Sequence, residues 1–359
     1  MTKARHIAEF ANDISVDSNR DVTLNNLRGD QHMMFRNKII NGGMQIDQRN
    51  AGSSVTPASG GYTVDRWVYE ATQSSKVACQ QVSTAPTRFV NSLKLTSQSA
   101  YTVAAGDVFQ IVQRIEGSAI SELAWGTASA STVTLFFKAY SSLTGTFGGF
   151  LRNSASDRYY IFTYSIPVAN TWTDISITIP GDTTGTWLTT NGYGLGVAWS
   201  LGCGSTYQTT AGSWGSGNNR GATGQVDLVA TNGATLYITA VQLEIGTVAT
   251  PFEHRPIGIE LSLCQRYFEI CHFNCWGYVQ GNTYQTGTNV YWQPKRAIPS
   301  ATYTGTRSSG GNNYSTGSSN TDGGNITGIN NSSALLTAQG GSSGVSYLIG
   351  AKWEISAEL

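Results

Sequence analysis

The sequence predicts an all-β protein with an N-terminal arm, a jelly-roll-type β-sandwich and a smaller C-terminal β domain. The chain is poor in charge, since only 12% of its 359 residues are charged, and rich in glycine, with 41. It keeps 9 Trp, 17 Tyr and 12 Phe, which polar disordered chains lack. Runs of β-branched and aromatic residues alternate with Gly-, Ser- and Asn-rich connections, which is the pattern of short strands and turns.

The charge balance and the lengths of the apolar runs argue against two classes of partner, nucleic acids and membranes. Basic and acidic residues number 22 each, and no basic run appears, so we predict no nucleic-acid partner. No apolar stretch reaches the roughly 18–20 residues that a membrane-spanning helix needs, so we predict no membrane insertion. The N-terminal MTKARHIAEF has no apolar core or small-residue cleavage site, which predicts no signal peptide.

Residues 1–35 are the most charged part of the chain and are too few to bury a core alone. Residues 7–14 have the spacing of one short amphipathic helix, and Val22–Leu24 has the composition of a brief strand. The segment is either a frayed terminus or an arm that docks on another body. We predict the docking arm.

Residues 36–256 carry the strand signals of the predicted sandwich. Residues 132–139 are β-branched and aromatic throughout, and residues 174–180 place three isoleucines on one face. Residues 236–245 are apolar on both faces, as a central strand would be.

Residues 257–359 form the predicted C-terminal domain. A helix pattern at 259–268 follows a proline, and strand patterns follow at 267–276, 289–292 and 345–359. Residues 305–345 are rich in Gly, Ser, Asn and Thr, which fits either mobile loops or the strands of a thin, intertwined β-structure.

Three segments carry a resemblance to a known family. They are NKIINGGMQIDQR at 37–49 with GYTVDRW at 61–67, VQLEIGTVATPFEHRPIGIE at 241–260, and LSLCQRYF at 261–268. In this order and spacing the chain resembles bacteriophage tail-fibre or receptor-binding proteins with a carbohydrate-binding-module-like β-sandwich. A short AEL end fits the same pattern, whereas residues 269–356 match no family that we can name.

The resemblance implies a homotrimer in the virion tail. Residues 1–35 would dock on the tail, baseplate or an adaptor protein, and the protein would bind a host surface polysaccharide. Within the motifs, we expect Asp65 and Arg66 at the edge of a buried Trp67. We also expect Arg255 to pair with Glu244 or Glu253 and so help to close the sandwich.

Sugars are bound by aromatic faces and by amide or guanidinium hydrogen bonds, and two parts of the chain offer both. The favoured one is C-terminal, and the other is a long loop of the sandwich. The glycan-binding candidates are Tyr278, Tyr284, Tyr291 and Trp292 in the C-terminal part, and Tyr207, Trp214, Asn218 and Arg220 in the loop.

We predict no catalytic residues and no cofactor. Residues 340–344 (GGSSG) match the nucleophile-elbow pattern, but they lie in a Gly/Ser tract with no helix pattern following. Glycoside hydrolysis needs two facing carboxylates, and no spacing singles out a pair among Asp157, Asp174, Asp182, Glu253 and Glu269. Two alternatives stay open: a tailspike depolymerase that degrades capsule or lipopolysaccharide, and a head fibre or other virion decoration.

The cysteines are predicted to be reduced, because their number is odd and no secretory signal is present. Cys264, Cys271, His272 and Cys275 lie close enough in sequence for a zinc site or a disulfide to be considered. Buried thiols are the favoured interpretation, and no metal site is predicted.

We expect the intact chain to be trimeric in solution. Its Gly-, Ser- and Asn-rich C-terminal third has too little apolar content to pack alone, and burial shared between chains would compensate. Light scattering should therefore give three times the mass of one chain, and a monomeric mass would contradict this expectation.

Overall fold

The computed structural model describes residues 14–16, 22–24, 35–279, 285–303, 324–339 and 344–359. The structure is nearly all β, which confirms the predicted fold class. Most of the predicted helix at 7–14 lies outside the described residues, and so does part of 305–345. None of the helices in the described ranges is long and apolar enough to span a membrane.

The strands are, in chain order, β1 (Ile14–Val16), β2 (Val22–Leu24), β3 (Trp67–Ala71), β4 (Val77–Val82), β5 (Ser92–Ser97), β6 (Val108–Glu116), β7 (Val133–Ser141), β8 (Gly145–Asn153), β9 (Arg158–Ile166), β10 (Thr173–Ile179), β11 (Tyr193–Cys203), β12 (Gln208–Thr209), β13 (Trp214–Ser216), β14 (Gly221–Ala222), β15 (Thr235–Ile245), β16 (Phe268–Val279), β17 (Gln285–Tyr291), β18 (Ser300–Tyr303), β19 (Gly324–Thr327), β20 (Ser333–Gln339) and β21 (Gly344–Ser356). The helices are α1 (Gly117–Ile120) and α2 (Ile257–Gln265), with 3-10 turns at Ser121–Leu123, Ser205–Tyr207 and Leu228–Ala230.

Two antiparallel sheets form a sandwich. One has five strands in the order β10-β7-β15-β5-β4, and the other has six in the order β13-β9-β8-β11-β6-β3. The sequence patterns at 132–139, 174–180 and 236–245 correspond to β7, β10 and β15. As the alternation predicted, the three isoleucines of β10 pack into or against the core.

Aromatic side chains join the two sheets in the main core. Trp67 of β3 and Trp199 of β11 are fully buried, with ring centroids 5.4 Å apart. Phe137 of β7, in the opposite sheet, lies edge-on to Trp199 at 5.2 Å. Such edge-to-face contacts stabilise a core by more than the burial of their apolar area alone would.

The six-stranded sheet is also buried on its outer face. A second cluster there consists of Val68, Val112, Phe150, Tyr159, Ile161, Ala198 and Ala222. Tyr62 covers one side of this cluster, and residues 205–226 cover the other through Ala211 and Ala222. We call residues 205–226 the covering loop. A sheet with two buried faces explains why several of its strands are apolar almost throughout.

The two family-like motifs meet in one hydrogen-bond network that closes the sandwich. Asn37 binds the last strand, donating to Val241 O at 3.0 Å and accepting from the Leu243 N–H at 3.0 Å. The Asn37 N–H donates to the Glu253 carboxylate at 2.9 Å. Arg255 donates to the main-chain oxygens of Asn37 and Ile39.

Of the ion pairs expected for Arg255, the one with Glu253 is present, at 3.4 Å. Arg255 also pairs with Glu260 of α2, again at 3.4 Å. Glu244 instead pairs with Arg36 at 3.3 Å, and its carboxylate also accepts from the Thr250 N–H at 2.8 Å.

The C-terminal part follows α2, which agrees with the helix predicted at 259–268. It contains two three-stranded sheets, β16-β21-β18 and β17-β20-β19. Their shared core is small and is made of Cys271, Phe273, Val290, Trp292, Ala334, Leu336, Trp353 and Ile355.

A buried ion pair joins the C-terminal part to the sandwich. The Arg66 side chain is 1% exposed and binds the Glu358 carboxylate, with its guanidinium carbon 3.5 Å from the Tyr267 ring centroid. It also donates to Arg114 O at 2.6 Å. Trp67 is buried as expected, but Arg66 pairs with Glu358 rather than with Asp65.

We expect Glu358→Gln to destabilise the protein by about 3 kcal/mol, because it leaves the buried Arg66 charge without a partner. The matched control is Asp174→Asn, which breaks an exposed ion pair with Lys138 and should cost at most about 1 kcal/mol. Urea unfolding followed by tryptophan fluorescence measures both. Equal effects of the two substitutions would contradict the role given to Glu358.

Candidate functional site

Three of the four predicted loop residues converge in the structure. The Arg220 N–H donates to Tyr207 O at 2.8 Å, and the Arg220 guanidinium carbon lies 5.5 Å from the Tyr207 ring centroid. Arg220 Nε donates to Asn218 Oδ1 at 3.2 Å. All three side chains are half-buried, so each keeps a surface open to solvent.

Trp214, the fourth loop candidate, faces the other way. It pairs with Tyr160 in β9 and lies edge-on to Trp125 and Trp187, at 5.2 and 5.5 Å. Its indole N–H donates to Pro180 O at 2.7 Å. Trp214 therefore supports the main core, which does not fit the ligand-platform role predicted for it.

The C-terminal candidates divide in the same way. Tyr291 is 69% exposed, whereas Trp292 is only 6% exposed and donates its indole N–H to Asn331 O at 3.1 Å. Adjacent residues of an extended chain point to opposite sides, so only one of them can face solvent. The burial of Trp292 does not fit a binding role. The Tyr278 side chain and the whole of Tyr284 lie outside the described residues.

Strand register extends the loop cluster across the six-stranded sheet. Gly196 of β11 pairs with Arg152 of β8 on one side and with Arg114 of β6 on the other. The two arginines are therefore on one face, with Cα atoms about 10 Å apart. A Cβ at Gly196 would lie 2.1 Å from Tyr193 Oη, so only glycine lets the Tyr193 phenol rest between them.

Arg152 links this row to the covering loop. Its Nη1 donates to Asn218 Oδ1 at 2.8 Å, the same oxygen that accepts from Arg220. The adjacent Asn219 donates to the Tyr159 hydroxyl at 2.8 Å. We call the resulting surface the arginine strip, and its members are Glu70, Arg114, Arg152, Tyr193, Tyr207, Asn218 and Arg220.

One carboxylate belongs to the strip. Glu70 accepts from Arg114 and from Gln110, each at 2.6 Å. Burial alone would raise the pKa of the Glu70 carboxyl, but the hydrogen bond and charge of Arg114, with the charge of Arg152, hold this pKa below its usual value. Arg114 also donates to the main-chain oxygen of Leu359, so the C-terminal residues border the strip.

The other end of the strip has an excess of positive charge. Burial, and then the neighbouring charge of Arg152, lower the pKa of Arg220 from its ordinary value. Arginine nevertheless stays protonated at any physiological pH. The strip therefore has three cationic guanidinium groups and one carboxylate, beside the rings of Tyr193 and Tyr207.

Sequence reasoning missed Glu70, Arg114 and Arg152. The available signal was an arginine inside an apolar strand pattern, at FLRN in β8 and QRIE in β6.

Sequence reasoning also missed an aromatic cluster on the outer face of the five-stranded sheet. There, the rings of Tyr140, Trp172 and Tyr237 lie 5.0–6.4 Å apart and are half-buried.

The carboxylates considered for hydrolysis are engaged in separate contacts. Asp182 binds Arg158 through two hydrogen bonds of 2.8 and 2.7 Å, and the pKa of Asp182 is lowered, since this pairing outweighs its burial. The remaining contacts are Asp174 with Lys138, Asp157 with Asn153, Glu269 with Lys295, and Glu253 with Asn37 and Arg255.

Four cysteines have free, buried thiols: Cys79, Cys203, Cys264 and Cys271. Burial raises the pKa of Cys79 to about 12, which makes this thiol a poor nucleophile. The Cys275 side chain is not among those described. Within the described ranges, no group of three or more His, Cys, Asp or Glu side chains is placed to hold a metal ion.

Comparisons with protein-family models and with curated protein sequences find no match to this chain. Among solved structures, it is similar to the enzymatically active domain of tailspike protein 4 of bacteriophage CBA120, with 13% identity and a TM-score of 0.34. That match covers 58% of this chain but only 21% of the tailspike chain.

The chain is also similar to two structures of carbohydrate-binding modules. A family 11 module from Clostridium thermocellum, in complex with a mixed-linked tetrasaccharide, is 11% identical with a TM-score of 0.28. That match covers 54% of this chain and 97% of the module. TmCBM61, in complex with β-1,4-galactotriose, is 9% identical with a TM-score of 0.30, and the match covers 59% of this chain and 99% of that one.

Trp214→Ala should destabilise the sandwich by about 2–3 kcal/mol, because it removes one ring of a three-tryptophan contact. Tyr207→Ala, at a half-buried ring of the same loop, is the matched control and should cost no more than about 1 kcal/mol. Urea unfolding measures both free energies. A Trp214 variant as stable as the Tyr207 variant would return Trp214 to the set of ligand candidates.

Proposed function

We propose that this chain is a phage tail-fibre protein that binds a host surface glycan without cleaving it. The observation that carries the proposal is the arginine strip. It combines two tyrosine rings, an amide and three guanidinium groups on a surface supported by a sheet. These are the groups that hold a sugar, since rings pack on its C–H face and the polar groups bind its hydroxyls.

The sheet beneath the strip holds its side chains in place, which favours a binding role. Arg114 and Arg152 project from paired strands, and Tyr193 rests on Gly196, so their positions are set before a ligand arrives. Preorganised side chains lose little conformational entropy on binding, which improves affinity.

The virion assignment rests on the motifs at 37–49, 61–67 and 241–268. Residues 1–35 would dock on the tail, baseplate or an adaptor protein, and three chains would form the fibre. A trimer presents three strips, and linked sites can raise apparent affinity by about 10²–10⁴ over a single site. A shallow surface is therefore sufficient to hold a repetitive polysaccharide.

We expect Arg220→Ala and Tyr207→Ala each to weaken binding of purified host surface polysaccharide by about tenfold or more. Tyr291→Ala, which removes an exposed ring from the C-terminal sheet, is the control and should change affinity less than about twofold. Titration calorimetry on the intact protein measures all three.

If Tyr291→Ala weakens binding about tenfold while Arg220→Ala and Tyr207→Ala do not, the binding site lies in the C-terminal part instead. Absence of binding by the unmodified protein would contradict the glycan-binding proposal itself. Release of reducing sugar ends from the polysaccharide would show that the protein is an enzyme.

A further inference from the structure

Within the described residues, Arg152 and Arg220 lack the carboxylate partner that several other buried or half-buried arginines have. Arg66 pairs with Glu358, Arg158 with Asp182, and Arg255 with Glu253. Arg152 and Arg220 instead donate to one shared, neutral oxygen, Asn218 Oδ1. In the described part of the chain, neither makes an ion pair with a carboxylate.

Arg152 has a further donor left over. Its side chain belongs to a residue that is only 5% exposed, and its Nε finds no hydrogen-bond acceptor within the described ranges. The Nε atoms of Arg66 and Arg255 also find no acceptor there, so what distinguishes Arg152 is that its buried charge has no carboxylate partner. A buried charge is normally paired with an opposite charge or bound by a ligand. The strip therefore holds donors for an anion that the chain itself does not supply.

The carboxylate of Glu70 does not compensate for this excess. Both of its oxygens are already used, one by Arg114 and the other by Gln110. Glu70 thus makes its direct ion pair with Arg114, while Arg152 and Arg220 feel its charge only from a distance and have no carboxylate in hydrogen-bond contact. This asymmetry favours a ligand with its negative charge at the Asn218 end.

We infer that the arginine strip selects glycans that carry a carboxylate, such as polymers of uronic or sialic acids, and binds that carboxylate with Arg220 and Arg152. A planar carboxylate matches the fork of a guanidinium and forms its strongest hydrogen bonds. The neighbouring Tyr207 ring then contacts the sugar that bears the carboxylate. This inference rests on the proposed function and adds the chemical class of the ligand.

The test compares each acidic polysaccharide with its own carboxyl-reduced form. The probes are polygalacturonate, alginate, hyaluronan and polysialic acid, with dextran sulfate as a non-carboxylate polyanion. At least one acidic polymer should bind the intact protein about tenfold more tightly than its reduced form, and this preference should shrink as salt is raised toward 0.5 M, roughly the range in which exposed charges are screened.

Arg220→Gln keeps hydrogen-bonding capacity but removes the charge. It should weaken binding of the acidic polymer by about tenfold and of the reduced polymer by no more than about threefold. Arg88→Gln makes the same change at an exposed arginine between β4 and β5 and should leave the preference intact. A thermal midpoint within about 2 °C of the unmodified protein confirms that Arg220→Gln still folds.

Several outcomes would overturn the inference: equal binding of acidic and reduced polymers, no binding of any of the four acids, or the same effect of Arg88→Gln and Arg220→Gln. Equal affinity for dextran sulfate and for the carboxylated polymer would also overturn it, because the strip would then bind any polyanion. If a neutral polymer binds and Tyr207→Ala weakens it, the proposed function stands while acid selection fails. If no glycan binds, both fail.

Discussion

The burial of both faces of the six-stranded sheet is the constraint on which the rest of the structure depends. One face packs on the five-stranded sheet through rings such as Trp199 and Phe137. The other is apolar along its middle and would be exposed without the covering loop and Tyr62. An exposed apolar sheet face of this size would be a site for association, so the chain covers it itself.

The same constraint explains where the arginine strip lies. Arg114 and Arg152 lie on the outer face beside its apolar cluster, and the Arg152 guanidinium carbon lies 5.4 Å from the Phe150 ring centroid. The covering loop bounds the strip on one side and the residues around Glu358 bound it on the other. The candidate binding surface is thus the part of the outer face that these two covers leave open.

The residues that carry the family resemblance have structural roles. Asn37, Glu253 and Arg255 close the sandwich, and Arg66 holds the C-terminal part through Glu358. The candidate ligand groups lie elsewhere, on the outer strands and the covering loop. A resemblance carried by the closing network therefore indicates the architecture and carries no information about the candidate ligand groups.

The sequence by itself determined the all-β class, the strands at β7, β10 and β15 and the helix α2. These follow from local periodicity and composition, which neighbouring residues carry. It did not determine which ring of a pair faces solvent, as Tyr291 and Trp292 show. Nor did it reveal the row of Arg152, Gly196 and Arg114, because strands far apart in sequence meet only through tertiary register, and register is set by how whole faces pack.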